Sequence, residues 1–414
     1  MRLPWVLQHP TLRLVLALVA FAGLAVGLTI PFLTLTARDR GVSLTAIGVM
    51  ASSYLVAQML LQLPMGSLSD RLGRAAPLAA GLVVEGLATA SFARAGSPAS
   101  FIALRTLQGV GVAMLFPAVR ALVADVTPED RRGQAYAGFG AAFSSGMLFG
   151  PLVGGSVAGA LGVGPLFVAA GVVEVLIGIW ALTALRGAGR PGRAPHPSER
   201  VSFAELLVKP LIGAFVLSFA SQFLMGMFSG VWSIYLADLG ASDFKIGLSF
   251  STFSIAYLAM APMGGRLADS GARWRRLLWA NLALGAVIAG YGLIPVVWVI
   301  LVLGLFEGAI STVAQPSLDA YLATVADPRV MGRVQGAYAT VGMAGAAISA
   351  LLGPVLYGGS RVLPFVAGGI ILWLLALVAI PLIRQTERER AARLPVVAAE
   401  RARAAVLVGA EPER

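Results

Sequence analysis

Residues 66–74 read Gly66-Ser67-Leu68-Ser69-Asp70-Arg71-Leu72-Gly73-Arg74, and residues 265–273 read Gly265-Arg266-Leu267-Ala268-Asp269-Ser270-Gly271-Ala272-Arg273. Glycine, leucine, aspartate and arginine recur at the same internal spacing after 199 residues. The offset persists beyond this stretch. Gly109 and Pro117 correspond to Gly308 and Pro316, and Gly150-Pro151 returns as Gly353-Pro354 after a slip of four residues. Matches that keep their order along half a chain indicate a duplicated structural unit.

The unit is membrane-embedded. Of 414 residues, 58% are hydrophobic and 12% charged, and the mean hydropathy is +0.84. Apolar runs long enough to cross a bilayer, which takes about 20 residues, are expected at 14–36, 45–66, 76–94, 99–122, 135–160, 165–186, 210–237, 245–265, 276–294, 297–321, 335–359 and 363–383. The first run is too long for a signal-peptide core and no small-residue cleavage pattern follows it, so it is expected to stay as span one. The sequence therefore predicts an all-α membrane protein with 12 transmembrane helices in two parallel six-helix repeats. The expected divisions are an N-terminal bundle at 1–186, a linker rich in Pro, Gly and Arg at 187–209, a C-terminal bundle at 210–384 and a basic tail at 385–414. An even number of spans per repeat gives both halves the same orientation. Transporters built this way carry their substrate site near the midplane between the halves.

A net charge of +11 could suggest nucleic acid, but the basic residues sit in short segments between spans. Orientation explains them better. With the N-terminus inside, the Lys and Arg residues on the outer side are Arg38, Arg40, Arg94, Lys245 and Arg361, Arg105 lies within a span, and the rest fall inside. Both termini are thus expected in the cytoplasm, with the chain in a bacterial inner membrane and the basic tail against anionic lipid. There is no cysteine, and His9 and His196 lie far apart in non-membrane segments, so no metal or cofactor site is expected.

The Gly66–Arg74 stretch turns the chain sharply and sets two cations and an anion at the membrane surface. Here the sequence resembles the major facilitator superfamily, over residues from about 12 to 385, and in particular its 12-helix drug:proton antiporter group. The resemblance implies that Asp70 meets the N-terminal end of helix eleven, where free amides and the helix dipole favour an anion, latching the halves on the cytoplasmic side. Arg74, together with Arg71, would pair with Asp125. In the second copy, Asp269 with Arg273, Ala272 replaces the glycine, which implies a weaker latch. The competing reading is a tight turn that simply retains positive charge.

Span four contains Arg105-Thr106-Leu107-Gln108-Gly109, again similar to a motif of that family. A charged side chain at such a depth costs at least about 2.5 kcal/mol unless partnered. Arg105 either faces the central cavity, binding an anionic group or tuning a carboxylate, or acts as a structural hub. Span five carries Gly146, Gly150, Pro151, Gly154 and Gly155, spaced for close helix contact. In the family this pattern accompanies proton-exchanging exporters, while ordinary packing would select the same glycines.

Three acids lie inside spans: Glu85, Glu174 and Glu307. The resemblance places helices one, four, seven and ten around the cavity, which makes Glu307 the first candidate for proton coupling and leaves Glu85 and Glu174 to structural hydrogen bonds. Span one has no acid within its apolar run, so coupling there is not expected. Gln58, Gln62, Gln108, Gln222, Trp232 and Gln315 complete the expected cavity set. Sparse polar groups among aromatic and apolar residues suit a hydrophobic or amphipathic small molecule.

These features point to a proton-coupled exporter of drugs or lipids. An uncoupled or importing carrier of a sugar or other metabolite is the alternative; a membrane-embedded lipid enzyme is disfavoured because no His-rich metal cluster or nucleophile–base constellation appears, and a non-transporting receptor, which saturable binding without flux would mark, is the remaining reading. Protons and membrane lipids are expected partners and nucleic acid is not; oligomeric state is left open.

Overall fold

The computed structural model describes residues 8–128, 131–187, 204–269, 273–326 and 330–408. Among these residues, twelve helices are long and apolar enough to span a membrane. They are α1 (Pro10–Asp39), α2 (Leu44–Leu72), α3 (Ala75–Ser91), α4 (Pro98–Val126), α5 (Arg132–Leu161), α6 (Val163–Ala184), α7 (Lys209–Ser229), α8 (Asp243–Asp269), α9 (Arg273–Leu293), α10 (Val297–Val325), α11 (Met331–Gly359) and α12 (Leu363–Val408). The face bearing both chain ends is called inner below, and the opposite face outer.

Three boundaries differ from the sequence expectation. Span seven is not continuous: α7 ends at Ser229 and a short outer helix, Trp232–Asp238, follows it. Gly230 sits at the break, where a Cβ would lie 2.7 Å from Pro354 Cγ, so the interruption lets α11 approach. The Gly66–Arg74 stretch is mostly helix, since α2 runs to Leu72 and the turn is confined to Gly73, whose φ of 85° suits glycine. The expected basic tail is helical, continuing α12 to Val408. Its first turns dock on the neighbouring helix ends: Arg384 lies 4.7 Å from the Trp274 ring, and Arg390 donates to the Thr324 carbonyl. The linker residues 188–203 fall outside those described.

Packing repeats as the sequence does. α1 packs on α5, α2 on α4, α3 on α6 and on α4, and α1 on α6; six helices later, α7 packs on α11, α8 on α10, α9 on α12 and on α10, and α7 on α12. The two sets meet mainly through α2 with α11 and α5 with α8, a pair of contacts that exchange under the same repeat.

The apolar cores reveal the conformation. One outer core mixes both sets of helices, joining Phe32, Ile47, Phe92 and Phe101 to Val231, Ile234, Tyr291 and Phe365. Towards the inner face there are two separate cores, one of α1–α6 residues such as Leu12, Leu78 and Leu122, and one of α7–α12 residues such as Leu211, Leu318 and Ile383. Leu63 on α2 is accordingly 82% exposed and Met263 on α8 is 50% exposed. The molecule is closed at its outer face and parted at its inner face.

Candidate functional site: a central pathway and its two ends

The outer end is closed by charge as well as by packing. Arg38, in the last turn of α1, donates to Asp238 Oδ1 at 2.7 Å. Tyr357 Oη of α11 donates to Asp238 Oδ2 at 2.7 Å, and Arg361 stands 3.8 Å from the same oxygen. One carboxylate therefore gathers a hydroxyl and two guanidinium groups from both sets of helices.

Behind this lock, α5 supplies the close approaches. A Cβ on Gly150 would stand 2.7 Å from Gly27 Cα, and one on Gly155 would stand 2.7 Å from the Asp243 carbonyl oxygen. Gly146 and Gly154 likewise face α1, and the Pro151 carbonyl faces Gly247. The glycine run thus joins α5 to α1 on one side and to α8 on the other, and Ser251 of α8 adds a 2.7 Å hydrogen bond to the Leu148 carbonyl.

The inner ends hold the expected gating residues. Arg74 is 6% exposed. Its Nε donates to Asp125 at 2.8 Å, and its Nη1 donates to Asp70 and, at 3.4 Å, to Ser69. Burial alone disfavours the charged guanidinium, but the hydrogen bonds and charges of Asp125 and Asp70 outweigh it and push the Arg74 pKa up. Two corrections follow. Among the described residues, Asp70 pairs with Arg74 of its own half, and the expected contact with the start of helix eleven is not among its hydrogen bonds or ion pairs. Arg71 is exposed on the last turn of α2 and takes no part in the Asp125 pair, for which Arg74 is the buried donor. In the second copy Arg273 opens α9, while the Asp269 side chain and residues 270–272 fall outside those described.

Between the two ends lie the polar groups of the spans. Arg105 of α4 stacks over the Tyr54 ring of α2 at 4.0 Å and donates to Gln108 Oε1 at 2.7 Å. Gln108 Nε2 donates onward to Thr89 Oγ1 of α3 at 2.8 Å. Gln108 is therefore not a free cavity group as expected: it is buried and both ends of its amide are engaged. Glu307 of α10 accepts a 2.6 Å hydrogen bond from Tyr291 Oη of α9. Trp232 also departs from the expectation, since its indole N–H donates to Ser249 at 2.9 Å and its ring packs 4.8 Å from Tyr291 against the outer core. Gln58 and Gln62 are half-buried on α2, and Gln222 is exposed on α7.

Gln315 brings in a group that the sequence reading missed. Its Nε2 donates to Asp319 Oδ1 at 3.0 Å and to Tyr338 Oη at 3.2 Å, linking α10 to α11 on the inner side. Asp319 is four residues from Gln315, one helical turn, a spacing that could have drawn attention to it. Asp238 and Tyr54 carried no comparable signal, because their partners are distant in sequence.

The Major Facilitator Superfamily profile matches residues 15–232 and again 214–408. Multidrug resistance protein 1 of Bacillus subtilis (strain 168) is 26% identical over 275 residues, 64% of this chain and 68% of that protein. The quinolone resistance protein NorA of Staphylococcus aureus is 25% identical over 239 residues, 56% of this chain and 58% of that protein, so the match spans little more than half the length of NorA. In fold, the chain is similar to a bacterial homolog of the human lysosomal transporter Spinster solved in an inward-facing, unoccupied conformation, with a TM-score of 0.70 at 14% identity, covering 91% of this chain and 96% of that one. With its two profile matches, its twelve spans and its repeated packing, this chain belongs to the Major Facilitator Superfamily and is an integral, multi-pass membrane transporter.

Proposed function

We propose that the chain is a proton-coupled exporter of hydrophobic or amphipathic compounds, drugs or lipids, and that Glu307 is its coupling carboxylate. The observation that carries this reading is the Glu307–Tyr291 pair at 2.6 Å, which sets a carboxylate deep in α10 with a neutral hydroxyl as its partner and, among the described residues, no cation bonded to it. A carboxyl group in that setting can exchange a proton without first breaking an ion pair. The names of the relatives support a drug as substrate. The half-buried Gln58, Gln62 and Gln315 and the exposed Gln222 suit a mostly apolar solute, offering few directional contacts.

In this reading, residues 1–186 and 210–384 rock as two bodies joined by the 187–209 linker. The inner opening loads substrate from the cytoplasm, where the excess of Lys and Arg places both termini. The Asp70–Arg74–Asp125 cluster closes that side when the halves swing together, with Asp269 and Arg273 as its counterpart. The glycine run of α5 is the close contact that slides on α1 and α8. Protons are the second ligand, and anionic lipid faces the basic α12 extension.

The test is substrate flux in proteoliposomes under an imposed proton gradient, for the native protein and for Glu307→Gln. Gradient-driven flux that the substitution abolishes is expected; flux indifferent to both would rule coupling out. A second reading, an uncoupled or importing carrier of a sugar or other metabolite, draws on the absence of any ionisable residue between Arg13 and Arg38 in α1. Flux that runs down the substrate gradient alone, or inward, would favour it.

A further inference from the structure

The N-terminal half buries two carboxyl groups to which the proposed function gives no task. Glu85 of α3 is 3% exposed and Glu174 of α6 is 2% exposed. They come together because α3 and α6 touch backbone to backbone. A Cβ on Gly86 would stand 2.6 Å from the Gly171 carbonyl oxygen and 2.8 Å from Glu174 Cβ. α4 closes on the other side through Gly111, whose Cβ would stand 3.2 Å from that of Glu85.

Few ionisable groups face the pair. α2 brings Tyr54 and α4 brings Arg105, whose charge acts on Glu85. The other elements packed on α6 are α1, α5 and the short turn Phe92–Arg94; α1 and α5 hold no ionisable side chain between Arg13 and Arg38 or between Tyr136 and Leu161, and Arg94 of the turn is exposed. The inventory is two carboxyls against one guanidinium. Such a group is neutral only when one carboxyl holds a proton, since a second anion would lack both a counter-charge and water.

The hydrogen bonds around Thr89 bear on where that proton sits. The Thr89 hydroxyl has a single hydrogen, which is directed to the Glu85 carbonyl oxygen at 2.9 Å, while its oxygen accepts from Gln108 at 2.8 Å. Glu174 lies beside this hydroxyl, which has no second hydrogen to give it while it bonds the Glu85 carbonyl. The Oε2 of Glu174 has no hydrogen-bond partner among the described residues. A carboxylate would leave that oxygen charged and bare in the bundle, whereas a carboxylic acid leaves it merely bare.

We propose that Glu85 and Glu174 form a proton-binding site inside the N-terminal half, holding one proton between them while Arg105 balances the remaining charge. Loading moves a proton from water in the central pathway onto a carboxylate of the pair, and release returns it to water. Arg105 is held between the Tyr54 ring and Gln108. This site is separate from Glu307 and does not rest on its assignment.

A hydrophobic carbodiimide tests the proposal, because it adds to a protonated carboxyl in an apolar setting and spares a carboxylate. The full-length protein in lipid nanodiscs is treated with dicyclohexylcarbodiimide across a pH series, and adducts are located by peptide mass spectrometry. The expected result is an adduct on Glu174 or Glu85 that declines several-fold as pH rises. In Arg105→Ala, which removes the counter-charge, both glutamates should be modified. No adduct on either residue of the native protein at acidic pH, or a yield independent of pH, would overturn the proposal whether or not the variant folds. Because the readout is chemical, the site and the Glu307 reading fail separately: flux indifferent to Glu307→Gln leaves the labelling of the pair untouched, and pH-independent labelling leaves Glu307 untouched.

Discussion

Arg38 and Asp238, 200 positions apart in the chain, share a 2.7 Å ion pair that ties the outer end of α1 to the outer helix following α7. Tyr357 and Arg361 converge on the same carboxylate. Its position makes it a strut of the inward-open state, since rocking the outer ends apart must break the Arg38 pair, while Tyr357 and Arg361, in the same half as Asp238, hold the carboxylate in place.

Asp238→Asn should therefore shift the population towards an outward-open form. One charge-assisted bond across the halves at a partly exposed site is worth about 1 kcal/mol, which corresponds to roughly a fivefold change in the ratio of the two states. Spin-label distances across the outer face would report it as a longer, more populated component.

Arg74→Ala should destabilise the fold more than an ordinary surface substitution. It strips Asp70 and Asp125 of a shared, 6% exposed partner, and removing one member of a buried charge cluster costs about 3–5 kcal/mol. Exposure of both aspartates reduces this to about half, read as a lowered melting midpoint in detergent. Arg74→Lys should recover only part of the loss, because an ammonium cannot present the Nε and Nη1 donors to separate carboxylates.

Gly150→Ala and Gly159→Ala form a matched pair of substitutions in α5. The first forces a methyl to within 2.7 Å of Gly27 Cα and of the Leu24 carbonyl oxygen, whereas the second meets nothing within 4 Å. Overpacking of this kind costs about 1–3 kcal/mol. Thermal unfolding should show a clear loss for Gly150→Ala and none for Gly159→Ala, and transport should slow only in the first.

Asp319→Asn removes a charge on the inner side while leaving a group that can still accept from Gln315. Stability should change by less than about 0.5 kcal/mol, as for most exposed positions. The expected effect is on substrate handling, with KM for a cationic probe rising several-fold and kcat nearly unchanged. Equal loss in KM and kcat would show that Asp319 acts on the conformational step instead.

Much of the architecture was legible in the sequence because lipid imposes a simple rule: a long apolar run with internally bonded backbone becomes a helix. The Asp70–Arg74 and Asp269–Arg273 copies announced the repeat, and the repeat anticipated that α2 with α4 would reappear as α8 with α10. Asp125 was legible as the partner of Arg74 because the family pattern contains that pair. The interruption at Gly230 was not legible, since a glycine in a membrane span is ordinary and only the approach of Pro354 gives it a purpose. Gln108 looked like a cavity residue because nothing local distinguishes an amide that faces a pathway from one that bridges Arg105 and Thr89.

By itself the sequence determined the solvent, the number of spans and the duplication, all of which depend on composition and on spacing along one chain. Only the tertiary structure decided which face is closed, that Arg38 and Asp238 pair across the halves in this state whereas Asp70 pairs within its own, and that Glu85 and Glu174 are buried side by side. The physical reason is that hydrophobicity is summed residue by residue along a helix, whereas an ion pair is decided by a few ångströms between helices that the chain brings together from far apart.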